Sequence, residues 1–200
     1  MISCAEMKAI EDKAEDRGIS KLDLMENAGK GVADLIIERY KPKGKRILVV
    51  CYHGNNGGDG MVAANYLADK GDVEVLFLGE EEKLKPEAKV QFDKLEKNVL
   101  IQFISLEYVH FDDYDIIIDA ILGIGLEGEL KPILQSTIDH INKSKAKKIS
   151  VDVPTGINAD TGEDYGTFVD ADLVVTFHDL KTGLKKWKSK TEVIGIGIPK

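Results

Sequence analysis

The chain has 200 residues, of which 43% are hydrophobic and 31% charged, with a net charge of −8. That composition supports a buried core without disulfides or structural metals. It argues against non-specific nucleic-acid binding, which needs a basic surface to displace phosphate counterions. No apolar run approaches a membrane span, and Glu6 and Lys8 in a helical pattern at the N-terminus are unlike a signal peptide. Two cysteines, Cys4 and Cys51, make no disulfide framework, so a reducing, cytoplasmic setting is expected.

Two helices are expected first. Ser3 and Glu6 have the spacing of a capping box, and Gly18 ends that helix. The second runs from about Ser20 to Tyr40, with Met25, Ala28, Val32, Leu35 and Ile36 on one face; Pro42 and Gly44 stop it. From there strands and helices alternate. Ile47–Cys51 reads as a strand buried on both faces, followed by a helix from about Gly60 to Lys70. Val73–Leu78 is a second strand, Pro86 opens a helix, and Val99–Ile104 is a third strand. Asp115–Ala120 is a fourth, and Leu130, Leu134, Thr137, Ile138 and Ile141 mark another amphipathic helix. Ile149–Val153, Leu173–Phe177 and Val193–Ile196 complete seven strands. This alternation predicts an α/β fold, with a mostly parallel sheet covered on both faces. It is read as one domain over residues 1–200.

In such sheets ligands bind beyond the carboxyl ends of the strands. After the first strand comes Gly54-Asn55-Asn56-Gly57-Gly58-Asp59-Gly60. Read as a loop, its glycines allow close approach and positive φ, and its N–H groups with the next helix N-terminus make an anion cradle. After the fourth strand comes Gly123-Ile124-Gly125-Leu126-Glu127-Gly128, a G-x-G-x-x-G string that keeps a dinucleotide-binding dehydrogenase in play. Asp119 and Asp152 end successive strands, where apolar surroundings raise carboxyl pKa values and suit proton transfer. Asn56, Asp119 and Thr155 are hard oxygen donors fit for a monovalent or alkaline-earth cation. Lys181 follows the sixth strand and is a weaker candidate for phosphate binding or acid catalysis. The four histidines show no ligand spacing with the cysteines, so no zinc site is expected. Serine-hydrolase and P-loop motifs are missing.

Five blocks stand in an ordered series: Leu24-Met25-Glu26-Asn27-Ala28-Gly29, the Gly54–Gly60 segment, Asp119–Gly125, Asp152–Gly156, and Thr176 through Lys181. In this order they resemble the NAD(P)H-hydrate epimerases across nearly the whole chain. The resemblance implies a Rossmann-like αβα sandwich with two extra N-terminal helices. It implies epimerisation of the R and S hydrates of NADH and NADPH at C6 of the nicotinamide ring. A separate S-specific, nucleotide-dependent dehydratase then restores the cofactor.

By position, Asn56, Asp119 and Thr155 match potassium ligands, threonine standing where serine is commoner. Asn55, Asn56, Gly57, Gly58 and Asp59, the segment Gly123, Ile124, Gly125, Leu126, Glu127, Gly128 and Glu129, and Asp152 match hydrate-binding positions. Asp152 is the expected acid/base, with Lys181 as a second proton donor or an orienter. A homodimer is expected, with the N-terminal helices as a candidate interface. Competing readings are a dehydrogenase using intact NAD and a non-catalytic binding module of the same fold.

Overall fold

A computed structural model describes residues 1–95, 97–98, 100–126 and 128–199. Val99, the expected start of the third strand, and Glu127, an expected hydrate contact, lie outside the described residues.

Two capped helices open the chain. In α1 (Cys4–Asp16) and α2 (Lys21–Tyr40), Ser3 and Ser20 each accept from the backbone N–H three residues on, and Glu6 and Asp23 reach back. Each box satisfies N–H groups that a helix start leaves without partners.

The strands are β1 (Arg46–Cys51), β2 (Asp72–Phe77), β3 (Ile101–Ile104), β4 (Ile116–Ala120), β5 (Lys147–Val151), β6 (Leu173–Phe177) and β7 (Thr191–Ile194). They form one sheet in the order β3-β2-β1-β4-β5-β6-β7, every pair parallel. The order reverses between β1 and β4, so a crevice opens at their carboxyl ends. The remaining helices are α3 (Asn55–Leu67), α4 (Pro86–Leu95) and α5 (Pro132–Lys143).

Side-chain alternation divides the core in two. Ile47, Val49 and Cys51 point to the face covered by α1 to α4, while Leu48 and Val50 point to the face covered by α5 and the 153–171 segment. The expected three-layer αβα sandwich is what forms.

One element departs from expectation. The Asn-Gly segment is not a loop; it is the first two turns of α3, which starts at Asn55 rather than Gly60. Gly54, Gly57, Gly58 and Gly60 all lack positive φ. Their missing side chains serve packing instead. A Cβ on Gly57 would lie 1.8 Å from the Tyr52 carbonyl oxygen, and one on Gly60 2.3 Å from the Ala120 Cβ. The helix therefore lies flat on the ends of β1 and β4. Smaller shifts occur elsewhere: β7 starts two residues early, and Leu130 precedes α5 rather than sitting in it.

Gly57→Ala should cost about 3 kcal/mol or more, because its clash is with backbone that no rotamer relieves. Gly58→Ala meets mainly the flexible end of Met25, with the Ala88 Cα at 3.2 Å, and should cost about 1 kcal/mol. Urea unfolding midpoints test the ranking; equal midpoints would contradict this account of the helix.

Candidate active site

Three groups of residues meet at the carboxyl ends of the central strands. The first surrounds Asp119, the penultimate residue of β4 and 1% exposed. Its Oδ1 accepts from Thr155 Oγ1 at 2.6 Å and from the Ile121 N–H at 3.3 Å; its Oδ2 accepts from Ser150 Oγ at 2.7 Å and the Thr155 N–H at 2.9 Å. Burial pushes this carboxyl up, and the hydrogen bonds, chiefly those of Thr155, pull it back. Thr155 Oγ1 in turn accepts from the Leu122 N–H at 3.0 Å.

Asn56, on the first turn of α3, faces the same segment. A Cβ on Gly123 would lie 3.2 Å from its Oδ1. Asn56 is 9% exposed, yet neither its Oδ1 nor its Nδ2 has a hydrogen-bond partner among the described residues. A buried carboxamide without partners costs free energy unless something else satisfies it. Asn56, Asp119 and Thr155 thus converge on residues 119–123. They offer carboxamide, carboxylate and hydroxyl oxygen, the donors a hard cation prefers. The orphaned Asn56 oxygen fits such an ion. No cluster of three His, Cys, Asp or Glu side chains of metal-binding size occurs among the described residues.

The second group is an ion pair. Lys181 Nζ, fully buried, donates to Asp152 Oδ1 at 2.7 Å, to the Phe177 carbonyl at 2.9 Å and to Thr176 Oγ1 at 3.1 Å. Thr176 Oγ1 passes a hydrogen bond on to Asp152 Oδ1 at 3.0 Å. An ammonium has three protons, and all three are placed. Both bonds to Asp152 land on Oδ1, so its Oδ2 takes part in neither.

Two tight turns make this contact. Asp152 (φ 62°) and His178 (φ 64°) have positive φ. Around each, the next N–H bonds to the preceding carbonyl, Val153 to Val151 and Asp179 to Phe177, both at 2.8 Å. Such three-residue turns are strained for a residue with a side chain. They end β5 and β6 abruptly and turn Asp152 back towards Thr176 and Lys181. The N-terminal segment adds a parallel bridge from Ile2 to Lys181, with Ile2 N–H bonded to the Leu180 carbonyl and Thr182 N–H to Ile2.

The third group is the loop between β4 and α5. Gly123, Ile124, Leu126 and Gly128 line one side of a cleft of about 370 Å³. The 157–165 segment lines the other, joined to the first by Tyr165, whose hydroxyl accepts from Asn158 Nδ2 at 2.9 Å and donates to the Leu126 carbonyl at 3.3 Å. Gly125 and Glu129 are exposed beside it. Cys4 also borders the cleft. Its thiol is pushed up to about 12, first by burial and then by its bond to Asp160, with Asp152 adding to the effect. The G-x-G-x-x-G string does not open a helix: α5 starts only at Pro132. The dinucleotide fingerprint needs a helix N-terminus against its glycines, so this loop does not match that motif.

Of the remaining expected contacts, Asn55 is exposed and Gly57 and Gly58 are buried inside α3. Asp59 is half-buried, its carboxyl raised well above the usual range by burial first, then by Asp152 and Glu11. Glu11 was not expected here. It lies on α1 in the stripe between Met7 and Ala14, both buried, and its carboxyl is pushed up to about 7 by burial, with Asp152 next. The signal was available in the spacing: Glu11 follows Met7 by four and precedes Ala14 by three. Ser150 and Thr176, fully buried partners of the two aspartates, were also missed.

Lys181→Met should lower unfolding free energy by about 3–5 kcal/mol, because Asp152 is left buried without its partner. The double variant with Asp152→Asn should lose less than the sum of the singles. Additive losses in a denaturant cycle would show the pair to be uncoupled.

Comparison with known proteins identifies the family. Residues 21–183 match the family described as YjeF-related protein N-terminus. The chain is 38% identical to a protein named NAD(P)H-hydrate epimerase from Nitrosopumilus maritimus, covering 99% of this chain and 95% of that one. It is 35% identical to one of the same name from Elusimicrobium minutum, covering 100% and 96%. It is 38% identical to the bifunctional NAD(P)H-hydrate repair enzyme Nnr of Hyperthermus butylicus, covering 99% of this chain but 38% of that protein. The chain thus spans about two fifths of the length of such bifunctional relatives. The crystal structure of the yeast protein ynu0 (YNL200c) superposes with a TM-score of 0.82 at 24% identity, over 98% of this chain and 88% of that one, a likeness of fold. The chain belongs to the family of the YjeF-related protein N-terminus.

Proposed function

We propose that this protein is an NAD(P)H-hydrate epimerase, an isomerase interconverting the R and S hydrates of NADH and NADPH at C6 of the nicotinamide ring. The observation that carries this reading is the match, from end to end, to proteins that bear that name. A single epimerase domain spans the chain in this reading. The cleft between the β4–α5 and 157–165 segments, with the α3 N-terminus, holds the hydrate.

The chemistry suits the residues. C6 of the hydrate carries both a hydroxyl and the ring nitrogen N1. Loss of the hydroxyl as water is pushed by the N1 lone pair and gives an iminium; water then adds to the other face. Protons must be delivered to the departing oxygen and removed from the arriving one. No electrons are exchanged and no covalent enzyme intermediate is needed. Asp152 is the acid/base, working through its Oδ2. Lys181 orients it: all three ammonium protons are already spent on Asp152, Thr176 and Phe177. That arrangement favours the orienting role over proton donation. The pair is buried, and fixed charges away from water act strongly on a developing cation.

Asn56, Asp119 and Thr155 would hold a monovalent cation, potassium in this reading. When bound, that ion would offset the Asp119 charge and fix the Asn56 carboxamide beside Gly123. The proposal extends to a homodimer in the cytoplasm, working with a nucleotide-dependent hydrate dehydratase. No helix among the described residues is long and apolar enough to cross a membrane. The large exposed hydrophobic residues lie mainly around α4 and β3 (Val90, Leu100, Phe103, Tyr108) rather than on the N-terminal helices.

Purified R-hydrate, incubated with the protein in potassium or in a large organic cation, should equilibrate with its S epimer far faster than buffer alone in potassium. Asp152→Asn should reduce the rate by about 10²–10⁴. Chromatographic separation of the epimers reads the result; no acceleration in either salt would reject the assignment. Potassium should also raise the melting temperature, since a ligand of the folded state stabilises it, and Asn56→Leu should abolish that rise.

A further inference from the structure

The cleft between the β4–α5 loop and the 157–165 segment has walls of opposite polarity. On one wall Gly123 meets the Asn56 side chain, on the first turn of α3. That helix starts without a side-chain cap, so its first N–H groups and its dipole favour an anion. On the other wall stand Asn158 and Asp160. Asp160 is exposed, and among the described residues that line the cleft it alone carries a charge. This wall is held firmly. Asn158 Oδ1 accepts from the N–H groups of Asp160 and Thr161, both at 2.9 Å, and its Nδ2 donates to the Tyr165 hydroxyl at 2.9 Å. The Asn158 N–H donates to the Glu163 carbonyl and its carbonyl accepts from the Gly162 N–H, both at 2.8 Å. Asp160 Oδ1 accepts from the Cys4 N–H at 2.7 Å, and the Asp160 carbonyl accepts from Thr182 Oγ1 at 3.0 Å. Thr182 directly follows Lys181, so the wall is fastened to the segment that carries the ion pair. A carboxamide nitrogen has two N–H groups and a carboxylate about four acceptor positions. Asn158 thus keeps one donor beyond its bond to Tyr165, and Asp160 keeps acceptor positions beyond those taken by the Cys4 N–H and thiol.

Resting on the epimerase reading, we propose that Asn158 and Asp160 are specificity-determining residues that read the carboxamide on the nicotinamide ring of the hydrate. The carboxamide NH2 donates to Asp160, and its oxygen accepts from Asn158 Nδ2. A donor and an acceptor two residues apart, on one turn that fixes both, match a planar group that presents one of each side by side. Charge decides which part of the substrate lies here. The hydrate carries a pyrophosphate, and a carboxylate in a cleft without a lining lysine or arginine repels it. The neutral ring therefore lies against Asp160 and the phosphates lie towards the start of α3. The same carboxylate selects the kind of ring. A carboxylic acid in place of the amide would bring a like charge against Asp160 and supply no donor. No bond forms or breaks at either residue; both act by holding the ring, and with it C6, in one orientation.

The test compares hydrates of reduced dinucleotides that differ only at C3 of the ring: the amide, the carboxylic acid and the methyl ketone. The ketone keeps the oxygen and loses the N–H donors without adding charge. Each epimerisation rate is read against its own enzyme-free control. Wild type should prefer the amide to the acid by about 10²-fold in kcat/KM, and to the ketone by about 10-fold or more, the size expected when a hydrogen bond to a charged group is lost. Asp160→Asn keeps an oxygen for the Cys4 N–H and removes the charge. Its preference for amide over acid should fall by about 10-fold or more, partly through a gain on the acid. Asn158→Asp keeps the oxygen that holds the turn and removes the donor, so it should slow the amide and the ketone alike. A variant that merely loosened the wall would slow all three hydrates in parallel. Equal wild-type rates on amide and acid, or an unchanged amide-to-acid ratio in Asp160→Asn, would overturn the proposal. A wild-type protein inactive on every hydrate would instead reject the epimerase reading itself.

Discussion

A lysine ammonium with no access to water is the constraint around which this end of the molecule is arranged. Lys181 must be solvated by protein alone, and its three acceptors come from the ends of two strands. Asp152 comes from the turn after β5, and Thr176 and the Phe177 carbonyl are the last two residues of β6. Removing water from a cation costs several kcal/mol unless partners replace it. Here they do, but only while β5 and β6 stay in register and both turns keep their strained conformation. The strain at Asp152 and His178 is thus tied to the charge it positions.

The same logic separates the two carboxylates that end β4 and β5. Asp119 takes four hydrogen bonds from its own surroundings and is held rigidly. Asp152 takes its bonds from Thr176 and Lys181 on one oxygen. Asn56, beside Gly123, is bonded to neither. A carboxylate with both oxygens bonded, an orphaned carboxamide and a carboxylate bonded through one oxygen thus stand at the same end of the sheet.

Much of this was legible in the sequence, and the exceptions have physical causes. The apolar runs located the strands because a parallel sheet buries both faces. Reading the carboxyl ends of the strands singled out Asp119, Asp152 and Lys181. The Asn55–Gly60 segment was misread because glycine is a poor helix former, and local propensity says nothing of a helix pressed so closely on a strand that only glycine fits. Asp152 and His178 carry only a weak sequence mark of positive φ: aspartate and histidine adopt it more often than most side chains, yet far less than glycine. Glu11 was passed over because a charged residue on a short helix usually faces solvent; its burial depends on where α1 lies against the sheet.

The bridge from Ile2 to Lys181 has a consequence for how the site is made. It joins the first strand-like residues of the chain to a segment that follows six of the seven strands. Contacts between positions so far apart in sequence form slowly, because a long loop must close before they return any energy. Sheet and helices on the β1 side can consolidate from shorter-range pairings, while the ammonium remains wet. Assembly of the Asp152–Lys181 ion pair is then a late event, coincident with the expulsion of water from around Lys181. During synthesis on a ribosome, the N-terminal residues would wait for nearly the whole chain to emerge before finding their place.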